Sequence, residues 1–125
     1  MARHRPSLLL LEDDDVLRRL LHEQLEPHFE VREAATCDHA RVVMEAHPCA
    51  LGVLDYQLPD GDGLSLLPEL RSRQPGFRAV LFSGGEPPLP ASGKLPPGLV
   101  ASLKKPTDTL RLVALLRRLA NEPPD

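Results

Sequence analysis

The sequence predicts an α/β domain in which parallel strands alternate with helices. Short apolar runs alternate with longer stretches whose apolar residues recur at helical spacing, which is the pattern of βαβ units. The run Ala50–Leu54 is apolar throughout, as expected of a central strand covered on both faces. The chain has 125 residues, 42% of them hydrophobic, which suits one domain. We therefore expect residues 1–125 to form a single domain with a core over about 7–120 and a tail at 121–125.

The first half of the chain predicts two strand–helix units and the central strand. Asp14 and Asp15 are candidate N-caps of the first helix, because a short carboxylate accepts hydrogen bonds from the first turn. The face of this helix that we expect to point inward consists of Val16, Leu17, Leu20, Leu21 and Leu25. The predicted elements are strand Ser7–Leu11, a helix closed by Pro27, strand Phe29–Glu33, helix Cys37–Ala46 and strand Ala50–Leu54.

The second half predicts a third helix, two strands and a C-terminal helix. The third helix begins near Asp62, and Pro68 is expected to kink it or to force a later start, because proline lacks the backbone N–H. The C-terminal helix has a predicted apolar stripe of Leu110, Val113, Ala114, Leu116 and Leu119. The remaining elements are strand Phe77–Phe82, strand Leu99–Leu103 and the C-terminal helix itself, Thr107–Ala120.

Residues 84–98 interrupt the alternation of strands and helices. A βαβ unit needs a crossover helix here, but prolines and glycines recur along the whole stretch. An interior proline costs a helix about 3 kcal/mol and a glycine about 1 kcal/mol. We therefore expect the fourth helix to be absent or reduced to a turn, with the segment running as an extended cover over one face of the sheet. Leu89, Leu95 and Leu99 are expected to pin it there, and the alternative is that they are exposed as a patch for a partner.

Polar side chains that can carry chemistry follow four of the predicted strands. The carboxyl ends of parallel strands meet at one edge, where open α/β sheets bind ligands. Glu12 and Asp13 follow the first strand, Asp55 the third, Ser83 the fourth and Lys105 the fifth. Carboxylates so close together repel and favour a cation, and oxygen-only ligands suit Mg²⁺, which usually accompanies a phosphate. A carboxylate nucleophile, two acids, a hydroxyl and an ammonium are the groups that phosphoryl transfer to a carboxylate requires.

Charge and composition argue against several other classes of protein. The formal net charge of -3 gives no electrostatic support for direct nucleic-acid binding. No apolar run approaches the roughly 20 residues of a membrane span, and no signal peptide is evident. Cys37 and Cys49 form no disulfide framework, so we expect a cytoplasmic protein without membrane attachment.

Taken together, these motifs resemble the receiver domain of bacterial two-component response regulators over essentially the whole chain. The matching residues are Glu12-Asp13-Asp14, Asp55 with Leu58-Pro59 and Asp62-Gly63, Ser83, and Lys105-Pro106. The resemblance implies a flavodoxin-like, doubly wound five-stranded parallel sheet in the order 2-1-3-4-5. It also implies a phosphorelay, in which a sensor histidine kinase or phosphotransfer protein donates a phosphoryl group and a downstream effector protein reads the result.

The resemblance assigns a role to each residue of the motifs. Asp55 would be the phosphoacceptor, forming an aspartyl phosphate, and Asp13 would bind Mg²⁺ directly. Glu12 would act on the metal through water, and the backbone carbonyl of Gln57 would be a further ligand. Ser83 would be the hydroxyl that moves onto the phosphoryl group. Lys105 would pair with a phosphoryl oxygen, and its bond to Pro106 is often cis in the family.

Other residues depart from the family pattern where the signal is usually relayed. Family members usually carry Tyr or Phe three residues before the lysine, where this chain has Ser102. Thr107 stands in place of a common Phe, and Gly84 in place of a small Ala. The site that receives the phosphoryl group therefore matches the family, whereas the part that should relay the signal does not.

Three functions follow from these features. The first is a stand-alone receiver without an attached effector, which could dimerise and which catalyses at most its own phosphorylation and dephosphorylation. The second is a pseudo-receiver that binds partners without a phosphorylation cycle, favoured by Ser102 and the altered fourth helix. The third is an aspartate-nucleophile phosphatase, which needs a second acid where this chain has Gln57. We discount the third for that reason.

Overall fold

Five parallel strands form one sheet, with helices on both of its faces. The computed structural model describes residues 5–105 and 109–122. Over these residues the elements are β1 Ser7–Leu11, α1 Asp15–Leu25, β2 Glu30–Ala34, α2 Cys37–Ala46, β3 Leu51–Asp55, α3 Gly63–Arg73, β4 Arg78–Ser83, β5 Leu99–Lys104 and α4 Thr109–Ala120. The strand order is β2-β1-β3-β4-β5, and each neighbouring pair is parallel. The predicted doubly wound sheet and its order are confirmed.

Element boundaries agree with the prediction to within one residue, apart from the first residues of the C-terminal helix. β2 and β4 begin one residue later than expected because Phe29 and Phe77 belong to the preceding turns. The backbone N–H of Phe29 donates to the carbonyl of Leu25 at 3.0 Å, and that of Phe77 to Gln74 at 3.0 Å. The predicted start of the C-terminal helix at Thr107 lies outside the described residues.

The alternating side chains of the central strands build two separate cores. Leu9 and Leu11 of β1 point into the layer covered by α2 and α3, whereas Leu8 and Leu10 point into the layer covered by α1 and α4. All four side chains are fully buried. This period-2 alternation turns one run of leucines into two cores, because successive strand residues face opposite sides.

Some apolar helix residues predicted to be buried are exposed instead. Val16 and Leu20 on α1 are 81% and 44% exposed, and Leu110 on α4 is 73% exposed. On α1 the inward row is Leu17, Leu21 and Leu25, at i, i+4 and i+8. On α4 the buried residues are Leu112, Val113, Leu116 and Leu119, and Ala114 is exposed. Each helix offers two adjacent apolar rows, and only packing against the sheet selects one of them.

Helix α3 starts where its cap predicts and continues through its proline. Asp62 is the N-cap, and its carboxylate accepts from the backbone N–H of Ser65 at 2.7 Å. The helix includes Pro68, so the expectation of a later start is wrong. The capped first turn and the burial of Leu66, Leu67 and Leu70 hold the helix in place despite the hydrogen bond that Pro68 cannot donate.

Residues 84–98, all of which the structure describes, contain no helix. The predicted loss of the fourth helix is therefore confirmed. Leu89 and Leu95 are half-buried and pack on the core beneath α3, and Leu99 is buried at the start of β5. The segment thus covers one face of the sheet through a few leucines, as expected.

The loop after β3 is tied to the start of α2 by Asp60. One carboxylate oxygen accepts from the backbone N–H of Cys37 at 2.8 Å and the other from that of Asp38 at 3.0 Å. Thr36 caps the same helix locally by accepting from His39 at 3.0 Å. The first-turn N–H groups of α2 are thus satisfied partly from a distant loop, which anchors that loop beside β3.

We predict that Asp60→Asn lowers the melting temperature in a pH-dependent way. The N–H groups of Asp38 and Cys37 hold the pKa of Asp60 below its usual value. A lowered folded-state pKa stabilises the protein above the unfolded-state pKa of about 3.9, and that contribution disappears as pH falls through the folded-state value. The difference in melting temperature should therefore be largest near neutral pH and shrink below about pH 4. Glu23→Gln, at an exposed position, is the charge-matched control. A difference in melting temperature between Asp60→Asn and the wild type that does not change with pH would contradict the prediction.

Candidate functional site at the carboxyl edge of the sheet

The sheet order brings the predicted site residues to one edge. Glu12 follows the end of β1, Asp55 ends β3, Ser83 ends β4 and Lys105 follows the end of β5. β3 and β4 pair Asp55 with Phe82, and β4 and β5 pair Ser83 with Lys104. The backbone N–H of Lys105 continues this pairing by donating to the carbonyl of Ser83 at 2.7 Å.

Asp55 lies at the centre of this edge, buried against a lysine. Its side chain and that of Glu12 are only 5% and 2% exposed. The ammonium of Lys105 lies 3.2 Å from Asp55 Oδ2 and 2.6 Å from Glu12 Oε1. It also lies 5.8 Å from the centre of the Phe82 ring. Lys105 thus forms ion pairs with two buried carboxylates. Burying either charged carboxylate without a cation beside it would be costly.

Asp13 completes an acidic cluster with the two buried acids. One carboxylate oxygen from each of Glu12, Asp13 and Asp55 lies within 4.8 Å of the others. Opposite oxygens around a Mg²⁺ ion with bonds of about 2.1 Å are separated by about 4.2 Å. Asp13 is the exposed member of the cluster, and the other two acids are buried. The donor set and its spacing therefore fit a small, hard divalent cation.

The environment of Asp55 disfavours its charge. Burial, followed by the nearby carboxylates of Glu12 and Asp13, raises the pKa of Asp55 to about 7 against the lowering effect of Lys105. For Lys105, burial acts against the charge, but the hydrogen bond to Glu12 and the charge of Asp55 outweigh it and raise its pKa. A divalent cation beside these acids would favour the ionised form of Asp55.

Ser83 lies beside this cluster, held by the loop that follows it. Its side chain is buried, and its hydroxyl donates to the carbonyl of Gly85 at 3.1 Å. The same oxygen accepts from the backbone N–H of Gly85 at 3.2 Å. The hydroxyl is therefore engaged in a local turn, and reaching a group on Asp55 would require it to leave the Gly85 carbonyl.

Comparison with known proteins decides the family. A family model described as the response regulator receiver domain matches residues 8–117. The chain belongs to this family. The receiver domain is similar to the photosynthetic apparatus regulatory protein RegA of Rhodovulum sulfidophilum, at 32% identity over 89% of this chain and 61% of the relative. It is also 32% identical to RegA of Cereibacter sphaeroides, over 94% of this chain and 65% of that protein.

Solved structures of other proteins share its fold. A CheY-like receiver domain from Methanospirillum hungatei superposes with a TM-score of 0.83 at 24% identity, covering 93% of this chain and 94% of that one. A sensor protein from Polaromonas sp. has a TM-score of 0.78 at 31% identity, covering 92% and 95%. The chain spans about half to two thirds of the curated relatives, 61% and 65% of the two RegA proteins and 52% of Protein PetR of Rhodobacter capsulatus.

The departures from the family pattern occupy the side of the domain near β5. Ser102 is exposed on β5, and Gly84 is exposed in a loop where an added methyl group would touch nothing within 4 Å. Gln57 is exposed two residues after Asp55, and the predicted role of its carbonyl stays a prediction. The Lys105–Pro106 bond and Thr107 involve residues outside the described ranges.

Two residues near the site make contacts that no sequence pattern indicated. Arg18 of α1 donates to the carbonyl of Glu12 at 2.8 Å, and Asp60 anchors the loop after Asp55 to α2. Arg18 and Arg19 look alike in the sequence, and only the first is half-buried. Both contacts join residues of different secondary-structure elements or loops, so the spacing within one element could not reveal them. Among the helices of the described residues, none combines the length and the apolar character that a membrane span requires.

We predict that Gly63→Ala destabilises the receiver domain. A methyl group at Gly63, the first residue of α3, would lie 2.3 Å from the Asp55 carbonyl oxygen and 2.9 Å from Leu54 Cβ. Forcing α3 away from β3 should lower the free energy of unfolding by about 1–3 kcal/mol in urea denaturation. Gly84→Ala, which meets nothing within 4 Å, is the matched control and should have no destabilising effect. Equal losses for the two variants would contradict the prediction.

Proposed function

We propose that the domain accepts a phosphoryl group on Asp55 in a two-component phosphorelay. The observation that carries this proposal is the buried carboxylate of Asp55, held 3.2 Å from Lys105 beside two further acids. Membership of the receiver family supports the same role.

The reaction would be attack by a carboxylate oxygen of Asp55 on the phosphorus of a phosphohistidine. A new P–O bond forms, the P–N bond breaks, and the histidine leaves with the electron pair of that bond. Lys105 would stabilise one oxygen of the transferring group, and its present partners hold it in reach of Asp55. Glu12, Asp13, Asp55 and the Gln57 carbonyl would hold Mg²⁺, which offsets charge on the phosphoryl oxygens.

The partners follow from this chemistry. The donor would be a sensor histidine kinase or a phosphotransfer protein, and a downstream effector protein would bind the phosphorylated form. Apart from its own phosphorylation and dephosphorylation, the domain would catalyse no reaction. A cytoplasmic location and a homodimer remain part of the proposal, as does the absence of direct nucleic-acid binding.

A pseudo-receiver is the second candidate. The exposed Ser102 and the helix-free residues 84–98 favour it, because the usual aromatic residue and fourth helix would be needed for the usual relay. The acidic cluster and Lys105 favour the phosphorylated receiver, because a pure interaction module has no use for two buried carboxylates around one ammonium.

We predict that a small-molecule phosphodonor such as acetyl phosphate labels the protein in a Mg²⁺-dependent manner and that Asp55→Asn abolishes the labelling. The amide of Asn is a much weaker nucleophile than a carboxylate, so no acyl phosphate can accumulate. Incorporation is measured by intact mass, and Asp38→Asn, an exposed acid on α2, is the control that should keep labelling. An unlabelled wild-type protein would favour the pseudo-receiver, and labelling of Asp55→Asn would place the phosphoacceptor elsewhere.

The adjacent lysines give a matched pair for the same measurement. Lys105→Ala should slow labelling by roughly 10²-fold, the typical effect of removing one stabilising donor. Lys104, 65% exposed and paired with Glu86 at 3.4 Å, should tolerate alanine with little change in rate. Equal rates for the two alanine variants would show that Lys105 does not stabilise the transferring group.

The signal would leave the site through Ser83 and residues 84–98. When the Ser83 hydroxyl donates to a phosphoryl oxygen on Asp55, it must release the carbonyl of Gly85, to which it now donates at 3.1 Å. The loop would then follow Ser83 toward Asp55. Because no helix stiffens residues 84–98, the response would be an ordering of this segment and not an aromatic side-chain flip.

We predict that a phosphoryl mimic with Mg²⁺ increases amide protection across residues 84–98. Hydrogen exchange read by mass spectrometry measures this change, because ordering a loop slows the opening of its amides. The same additions to Asp55→Asn provide the control and should leave exchange unchanged. Unaltered protection in a wild-type protein that is shown to bind the mimic would contradict relay through this segment.

A further inference from the structure

Arg18 joins the acidic end of β1 to its surroundings through three hydrogen bonds. Its Nη1 donates to the backbone carbonyl of Glu12 at 2.8 Å, and its Nε donates to Glu33 Oε1 at 2.8 Å. Its Nη2 donates to Asp15 Oδ1 at 2.6 Å. The side chain is 17% exposed, so the guanidinium is largely shielded by the groups that it binds.

The bond to Glu12 controls the backbone of Asp13 as well. The Glu12 carbonyl belongs to the peptide unit that links Glu12 to Asp13, and a peptide unit is planar and rigid. The Glu12 N–H donates to the Ala34 carbonyl at 3.0 Å, and one Glu12 carboxylate oxygen accepts from the Asp14 N–H at 3.0 Å. Arg18 therefore secures the carbonyl of the one peptide plane that joins the two acids of the candidate cation site.

The guanidinium is itself fixed from β2. Glu33 uses one carboxylate oxygen for Arg18 and places the other 2.5 Å from His22 Nδ1, so its orientation is set by two residues of α1. The hydrogen bond with Asp15 is the largest effect that raises the pKa of Arg18, and Glu33 adds to it against the effect of burial. The planar fork is thus positioned by two carboxylates, while one N–H of its Nη1 points at the Glu12 carbonyl.

We propose that Arg18 is a positioning residue for Mg²⁺ binding, acting through the Glu12–Asp13 peptide unit. The inference rests on the proposed function of the acidic cluster and adds a residue that does not contact the cation. Asp13 is the exposed member of the cluster, so the direction of its side chain depends on the backbone that Arg18 holds. A lysine could not replace Arg18, because one ammonium cannot reproduce three hydrogen bonds from a rigid plane.

The test compares Arg18→Gln and Arg18→Lys with Arg19→Gln, an exposed arginine on the same helix. Tyr56, the single tyrosine of a chain without tryptophan, follows Asp55 directly, so its fluorescence can report binding of Mg²⁺ alone. Both Arg18 variants should weaken Mg²⁺ binding by about tenfold, the lower range for loss of a group that supports a metal ligand. Arg19→Gln should bind as the wild type does. Saturating Mg²⁺ should restore the labelling rate of the Arg18 variants.

Amide exchange without Mg²⁺ gives a second measurement that does not depend on the metal. The amides of Glu12 and Asp14, both hydrogen-bonded in the native loop, should exchange faster in the Arg18 variants and not in Arg19→Gln. A lower melting temperature with unchanged Mg²⁺ affinity and unchanged exchange would reduce Arg18 to a structural residue and overturn the proposal. If Arg18→Lys bound Mg²⁺ like the wild type, the need for a planar fork would be refuted.

The measurements distinguish a failure of the proposed function from a failure of the role of Arg18. A wild-type protein that binds no Mg²⁺ contradicts the proposed cation site, and the proposal for Mg²⁺ positioning fails with it. Exchange at Glu12 and Asp14 would then decide whether Arg18 holds the acidic backbone at all. A wild-type protein that binds Mg²⁺ but is not labelled contradicts phosphorylation alone, and the Mg²⁺ affinities still decide the role of Arg18.

Discussion

The ammonium of Lys105 is the group on which the arrangement of the site depends. It lies 2.6 Å from Glu12 and 3.2 Å from Asp55, two acids that are almost completely buried. Without a cation, desolvation and mutual repulsion would drive such acids to take up protons or to move apart. Lys105 follows the edge strand β5, so its ammonium must reach past the end of β4 to the acids at the ends of β3 and β1. The long flexible side chain of lysine, which passes over Phe82, allows this reach.

The loops around this lysine are each tied to a neighbouring element. Arg18 links the end of β1 to Glu33 of β2, and Asp60 links the loop after β3 to the start of α2. Gly63 lets α3 begin in direct contact with the Asp55 carbonyl. The acids are therefore held by backbone that is fixed from outside the site, which is the preorganisation that electrostatic stabilisation of a transferring group requires.

The connection between β4 and β5 is held in place less extensively than the loops around Lys105. Between β4 and β5 the chain is held by Leu89 and Leu95, where a crossover helix would normally bury a continuous apolar face. Ser83 lies at the junction, buried at the end of β4 and hydrogen-bonded to Gly85 in the loop that begins this segment. The acidic edge of the sheet and the helix-free segment thus meet at one hydroxyl group.

The amino-acid pattern is enough to predict the fold class, the strand order through its family resemblance, the missing helix and the positions of Glu12, Asp13, Asp55, Ser83 and Lys105 at strand ends. Apart from the strand order, these features are local, because apolar runs, prolines and residues after strands are read directly from spacing. The packed structure was needed to show which apolar row of α1 and α4 is buried, since both rows fit a helix equally well. It alone distinguished Arg18 from Arg19 and revealed the cap by Asp60, because those contacts join residues that only packing brings together.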